Sequence, residues 1–296
     1  MSRIHDALKR AEQERATSTG THVEPAFEQP EVQSMPSLQP TASVMPGMTS
    51  GFNYEALLAR CPQTQWNPDQ QKMLFFQDED GRAGAEQFRT LRSRLYQIRE
   101  KMPLKRLMIT SALPKEGKSF ISANLAQVLV RQHGRRVLVI DGDLRNPGLH
   151  RQFGAAQTPG LTEYLLGECD EFGALQRGPI ENLFFTPAGR QAGSAPELLS
   201  NGRLKLFLQR VEPLFDWIII DTSPVIPVSD ATLVAGSCDG ILMVVRSAMT
   251  PSDLARRARE EFPDKLLLGV VLNGAPPEKL GQSKYYYYGE AVKSQA

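Results

Sequence analysis

Cysteine is scarce in this chain, with three in 296 residues. Cys61, Cys169 and Cys238 are far apart and show no CxxC spacing, which argues against a disulfide framework or a thiolate zinc site and fits a reducing compartment. An excess of either charge is also lacking: 34 basic and 33 acidic residues leave a net charge of +1. Such a chain has no long-range field with which to gather nucleic acid or anionic lipid, so no nucleic-acid partner is expected. No apolar run approaches the roughly 20 residues of a spanning helix, and the N-terminus has no signal-peptide core. A cytoplasmic protein is expected, with any membrane role supplied by a partner. What the chain has is enough apolar residues, 41%, for one sizeable core with extensions that do not join it.

Residues 1–15 read as a short amphipathic helix, with Ile4, Ala7, Leu8 and Ala11 at helical spacing. Alone it is marginal, so it either docks on something or frays. From Ala16 to Ser50 the composition turns to Pro, Ser, Thr, Gln and Met with no Lys or Arg, which predicts a disordered linker. Residues 51–84 are transitional, with apolar islands at Leu57-Leu58 and at Met73 to Phe76 that predict an edge strand or a segment lying on the domain. Ala85 to Glu100 is a helix whose Phe88, Leu91, Leu95 and Ile98 form one stripe beside a charged set, Glu86, Arg89 and Arg92.

Beyond Lys105 strands and helices alternate. The runs at 106–110, 137–140, 183–185, 217–220, 240–245 and 266–272 are nearly continuous in apolar residues, the mark of strands covered on both faces. A doubly wound, mostly parallel α/β domain is predicted over residues 85–275, followed by a flexible tail, 276–296. That tail carries four consecutive tyrosines, Tyr285, Tyr286, Tyr287 and Tyr288. Packing explains an exposed aromatic run poorly, and four phosphate acceptors suggest that the tail is a substrate.

The donor side is Ala112-Leu113-Pro114-Lys115-Glu116-Gly117-Lys118-Ser119, a phosphate-loop pattern with alanine for its first glycine. Placed between a strand and a helix, its amides and helix N-terminus face phosphate, Lys118 neutralises the β/γ oxygens, and the Ser119 hydroxyl suits a magnesium ion. Alanine is tolerable at its first position wherever φ is negative. Asp221 ends the strand at 217–220, on the edge where open α/β sheets bind ligands. Asp141 and Asp143 follow another strand end, either facing one metal and substrate or forming an Asx turn around Gly142. Asn273 follows the last strand, where it either reaches an adenine base or makes an Asn-Gly turn with Gly274; Arg246 ends the strand before it.

Together, Pro114-x-Glu116-Gly117-Lys118-Ser119, Asp141-Gly142-Asp143-Leu144-Arg145-x-Pro147, Ile220-Asp221-Thr222-x-Pro224 and the terminal tyrosines resemble the bacterial tyrosine autokinases of capsule and exopolysaccharide synthesis, the BY-kinases, phosphate-loop ATPases related to the division-site and plasmid-partition group. Glu86-x-x-Arg89-x-x-Arg92 is similar to that family's subunit-contact signature, and Met1 to Lys9 resembles the start of members encoded with exopolysaccharide genes. Contiguous tyrosines, and Ser223 in place of a proline, depart from the family pattern.

The resemblance implies a protein-tyrosine kinase using ATP and Mg²⁺, with Lys118, Asp141, Asp143 and Asp221 as catalytic residues. Ser119 and Asp143 are expected to hold the metal, with Asp221 acting through water and Asp141 taking the tyrosine proton; the two aspartates can exchange roles. It also implies a ring-like homo-oligomer contacting through Glu86, Arg89 and Arg92, a separate transmembrane activator of the polysaccharide co-polymerase type, a cognate tyrosine phosphatase, and recruitment to the inner face of the cell membrane. Without the family, Glu86 and Arg89 are simply an i,i+3 surface pair. About a dozen residues from Asn273 to Tyr285 span at most roughly 40 Å, and Pro276-Pro277 resist a sharp return, which favours transfer to a neighbour. The competing reading, an ATPase switch of the partition type, would have a lysine where Leu113 stands and no use for the tyrosines.

Overall fold

The computed structural model describes residues 52–61, 63–75 and 84–276. The expected N-terminal helix and linker, and the tyrosines 285–288, lie outside those residues. Within them, seven strands form one sheet in the order β3-β4-β2-β5-β1-β6-β7. In chain order these are β1 Arg106–Ser111, β2 Val137–Asp141, β3 Gln176–Arg177, β4 Leu183–Thr186, β5 Trp217–Asp221, β6 Gly240–Arg246 and β7 Leu267–Asn273. All neighbours pair in parallel except β3 with β4.

The six apolar runs are thus six strands, and the reason is visible in their packing. Alternate side chains go to opposite faces. Met108, Leu138, Ile140, Ile218 and Ile220 enter one core, whereas Leu107, Ile109, Val137, Val139, Trp217 and Ile219 enter the other. Helices cover both. The second core lies under α2 (Ala85–Arg99), α3 (Lys118–Val130) and α4 (Leu149–Phe153). The first lies under α1 (Tyr54–Arg60), α5 (Leu161–Leu166), α6 (Glu171–Ala174), α7 (Ala195–Ser200), α8 (Arg203–Val211), α9 (Asp230–Ala235) and α10 (Ser252–Glu260).

The segment before α2 packs on the domain. Asn53 caps α1, its side chain accepting the Ala56 N–H at 2.8 Å, and Leu57 is fully buried. Further on, Leu74 N–H donates to Asn124 Oδ1 at 2.7 Å while Asn124 Nδ2 donates to Lys72 O at 2.8 Å. One amide side chain on α3 therefore fastens that stretch through both its donor and its acceptor. Instead of an edge strand, residues 52–75 supply a helix, an isolated bridge from Gln63 to Arg177, and the buried Met73, Leu74 and Phe75.

On α2 the expected stripe is present, with Phe88 and Leu95 buried. The charged set divides. Arg89 and the exposed Glu86 form an ion pair at 3.0 Å, whereas Arg92 donates to Val128 O at 3.0 Å, satisfying a carbonyl in the last turn of α3.

Candidate nucleotide and phosphoryl-transfer site

β1 ends at Ser111 and α3 begins at Lys118, so the connecting loop sits at the C-terminal edge of the sheet, between the ends of β5 and β6. Lys115 (φ 67°) and Gly117 (φ 96°) turn it left-handed at two points, whereas Ala112 does not take a positive φ and so needs no glycine. A Cβ at Gly117 would also stand 2.1 Å from Asn273 Nδ2 and would displace that side chain. The loop closes on itself through Glu116, whose Oε2 accepts the Leu113 N–H at 2.6 Å. Its other oxygen accepts from Arg246 N–H at 3.3 Å and from the Thr250 hydroxyl. Asn273 Nδ2 donates to Glu116 O at 2.8 Å.

Three carboxylates meet the loop from the other flank. The register of β2 on β5 sets Asp141 beside Asp221. Asp221 Oδ2 accepts the Ser119 hydroxyl at 2.5 Å and its Oδ1 the Ser122 hydroxyl at 3.0 Å. Lys118 Nζ pairs with Asp143 Oδ2 at 3.0 Å. Asp141 Oδ1 accepts the Asp143 N–H at 3.2 Å, and its Oδ2 accepts the Gly148 and Leu149 amides, each at 3.1 Å. The Asp143 N–H bond to Asp141 makes the expected turn around Gly142, and the same turn sets Asp143 against Lys118.

Burial makes these charges strong. Removal from water, with Asp221 alongside, pushes the Asp141 carboxyl up to about 7. The Asp221 carboxyl is also raised, by burial first, against the opposing effect of Lys118. For Lys118, burial alone would lower the ammonium pKa, but Asp221, Asp143 and Asp141 together raise it above its ordinary value. Lys118 is thus held charged, while Asp141 can exchange a proton near neutrality.

Sequence reasoning missed several partners. Ser122 lies one helical turn after Ser119, and that i,i+3 spacing was the available signal. Arg145 grips the buried Asp230 through two bonds of 2.7 and 3.2 Å, fixing the far side of the 141–148 turn, and nothing local in the sequence marks that pair. Thr250 was equally silent.

The residues present fit a nucleoside triphosphate. A 13-residue helix directs its N-terminal amides at the loop, a charged lysine stands beside them, and left-handed turns at Lys115 and Gly117 shape the backbone. Among the described residues no group of three His, Cys, Asp or Glu side chains could hold a metal alone. Magnesium suits that donor set, since it binds through one or two protein oxygens together with phosphate and water.

No protein-family model matches the chain. It is 35% identical over 221 residues to the tyrosine-protein kinase YwqD of Bacillus subtilis, across 74% of this chain and 92% of that protein. The chain belongs to the bacterial tyrosine-protein kinases. This kinase also shares 36% identity over 192 residues with the succinoglycan biosynthesis transport protein ExoP of Rhizobium meliloti, matching 63% of its own length and 24% of ExoP. Its fold matches the kinase domain of the Escherichia coli tyrosine kinase ETK with a TM-score of 0.63 at 30% identity, covering 67% of this chain and 78% of that one. The tyrosine kinase therefore transfers phosphate from ATP to tyrosyl protein.

Proposed function

We propose that this kinase, using Mg²⁺-ATP, phosphorylates Tyr285 to Tyr288 of a neighbouring copy and thereby regulates exopolysaccharide or capsule synthesis and export. The observation that carries the reading is the Lys118–Asp143 pair, set beside Asp141 and Asp221 at the N-terminus of α3. Phosphoryl transfer asks mainly for positioning and for neutralising charge on the γ oxygens. ATP, when bound with its metal, supplies the phosphoryl group and part of that neutralisation.

The chain supplies the rest. Lys118 and the loop amides from Lys115 to Ser119 hold the phosphates. Ser119 and Asp143 would be the oxygen donors for magnesium, with Asp221 acting through a bound water. A tyrosine hydroxyl near pKa 10 is neutral at pH 7 and must lose its proton during transfer. Asp141, with its carboxyl near 7, is suited to receive it, with Asp143 as the nearer carboxylate to Lys118. Asn273 remains the candidate for contact with the adenine edge of the site.

Transfer between subunits is supported by the reach of the tail and by the exposed Glu86–Arg89 pair on α2, which supplies a polar contact for a neighbour in a ring. No helix among the described residues is long and apolar enough to cross a membrane. The likeness to ExoP supports the link to polysaccharide synthesis and transport, and with it the proposal of a cytoplasmic kinase recruited to the inner membrane face by a separate transmembrane activator and reset by a tyrosine phosphatase. Each phosphotyrosine adds about −1.5 to −2 charge, so successive events repel neighbours and loosen the ring.

Incubation with γ-labelled ATP and Mg²⁺ tests the reading. Label is expected on wild type, and is expected to be lost both in Lys118→Met and when Tyr285 to Tyr288 are changed to Phe. Release of phosphate with no labelled protein would instead identify an ATPase switch.

A further inference from the structure

The β6–β7 flank of the loop carries a set of contacts that phosphate binding does not explain. Glu116 is almost fully buried, and among the described residues its carboxyl oxygens are held by three neutral donors, the Leu113 and Arg246 amides and the Thr250 hydroxyl. Those donors come from the loop itself and from the end of β6 with the turn beyond it. A carboxylate there acts as a cross-link between two chain segments.

The other half of the contact is Asn273. Its Nδ2 donates to Glu116 O, and the Asn273 side chain occupies the space that any Cβ at residue 117 would need. Asn273 O in turn accepts the Ser247 N–H at 2.8 Å, and the register of β7 on β6 sets Asn273 opposite Arg246. Gly274 follows at φ 68°, where an added Cβ would stand 3.2 Å from the Arg246 guanidinium. This is where the chain leaves the sheet toward the tyrosines. The Glu116 peptide lies between two left-handed residues, Lys115 and Gly117, so any reorientation of the loop turns the carbonyl that Asn273 holds.

We propose that Glu116 and Asn273 fasten the root of the acceptor tail to the phosphate loop of the same chain, so that each subunit's own loop sets how it presents its tyrosines to a neighbour. The inference rests on transfer between subunits, as proposed above. Asn273 is then a positioning residue for the acceptor, in addition to any contact with nucleotide in its own site. A fixed root confines the directions open to the dozen residues that follow and raises the effective concentration of tyrosine at the neighbouring site.

The experiment separates donor from acceptor. The donor carries Tyr285 to Tyr288 changed to Phe, and the acceptor carries Lys118→Met with its tail intact; the two are mixed with γ-labelled ATP and Mg²⁺. Label is expected on the acceptor. Adding Asn273→Ala to the acceptor alone is expected to lower its labelling rate about three-fold. Asn273→Asp, nearly the same shape but unable to donate to Glu116 O, is expected to do the same, with both acceptors melting at the temperature of their parent.

An unchanged labelling rate in these acceptors, with activity lost only when Asn273→Ala is placed in the donor, would confine Asn273 to nucleotide binding and overturn the proposal. A loss in Asn273→Ala that Asn273→Asp does not share would also overturn it. If the acceptor with Asn273 intact takes no label at all, it is transfer between subunits that fails.

Discussion

The two flanks of β1 handle the same loop in different ways. On the β5–β2 side every strand residue is buried, and the loop meets charge: Lys118 against Asp143, and Ser119 and Ser122 against Asp221, with Asp141 beside it. On the β6–β7 side the sheet opens to solvent, with Val270 57% and Leu272 56% exposed, and the loop meets neutral donors, Arg246 N–H, Thr250 and Asn273. Full charges beside the loop can answer the charge that develops on a phosphoryl group, whereas neutral donors hold the loop in place. The comparison therefore assigns chemistry to one flank and placement of the loop and tail to the other.

Substitutions can break that division. On the charged flank, Lys118→Met is expected to cost about 10³-fold in kcat for tail phosphorylation. On the neutral flank, Thr250→Val leaves Glu116 with two of its donors and is expected to cost less than about ten-fold in kcat/KM, since one hydrogen bond is worth about 1 kcal/mol. Comparable losses at the two positions, measured by initial rates of phosphotyrosine formation, would erase the distinction.

Stability sharpens the comparison further. Arg145→Ala strands the buried Asp230 without its bidentate partner and is expected to destabilise the fold by about 2 kcal/mol in chemical denaturation, partial exposure of Arg145 moderating the loss.

The Asp141 carboxyl gives a pH signature. Its folded value, about 7, exceeds the roughly 3.9 of an unfolded aspartate, so the folded state binds the extra proton between those limits. Its contribution is fully present below about pH 4 and is lost as pH rises toward 7. Denaturation in EDTA at pH 5.5 and 8 is expected to show wild type weakening across this interval and Asp141→Asn weakening less. An equal pH dependence in the two proteins would contradict the assignment.

The smallest effect belongs to α2. Arg89→Ala removes an exposed i,i+3 pair and is expected to change monomer stability by only about 0.5 kcal/mol. A larger change in oligomer size, measured by light scattering, would place the pair in an interface.

The legible parts of this protein are those whose signal is local. Five of the six strands were readable because both of their faces are covered, which makes their apolar runs continuous, whereas β7 carries the same kind of run with Val270 and Leu272 exposed at the sheet's edge. The Gln176–Arg177 strand was not, being two polar residues long and defined only by its antiparallel partner. Lys118, Ser119 and Asp221 could be placed because a strand end and a helix start fix their positions in space. Asp230 could not, because its role depends on an arginine 85 residues away. Arg92 was legible as a charge on α2, but its Val128 carbonyl partner depends on how α2 crosses α3, which no spacing within α2 encodes.

The central claim is that the chain donates phosphate to a neighbour's tyrosines. The most direct measurement mixes the tyrosine-free donor with the Lys118→Met acceptor and compares phosphate on the acceptor's peptide bearing Tyr285 to Tyr288 with free phosphate released, in one sample by mass spectrometry and a phosphate assay. Phosphotyrosine on that peptide in the mixture, and in neither protein alone, is the predicted result. Free phosphate accumulating while the peptide stays unmodified would contradict it.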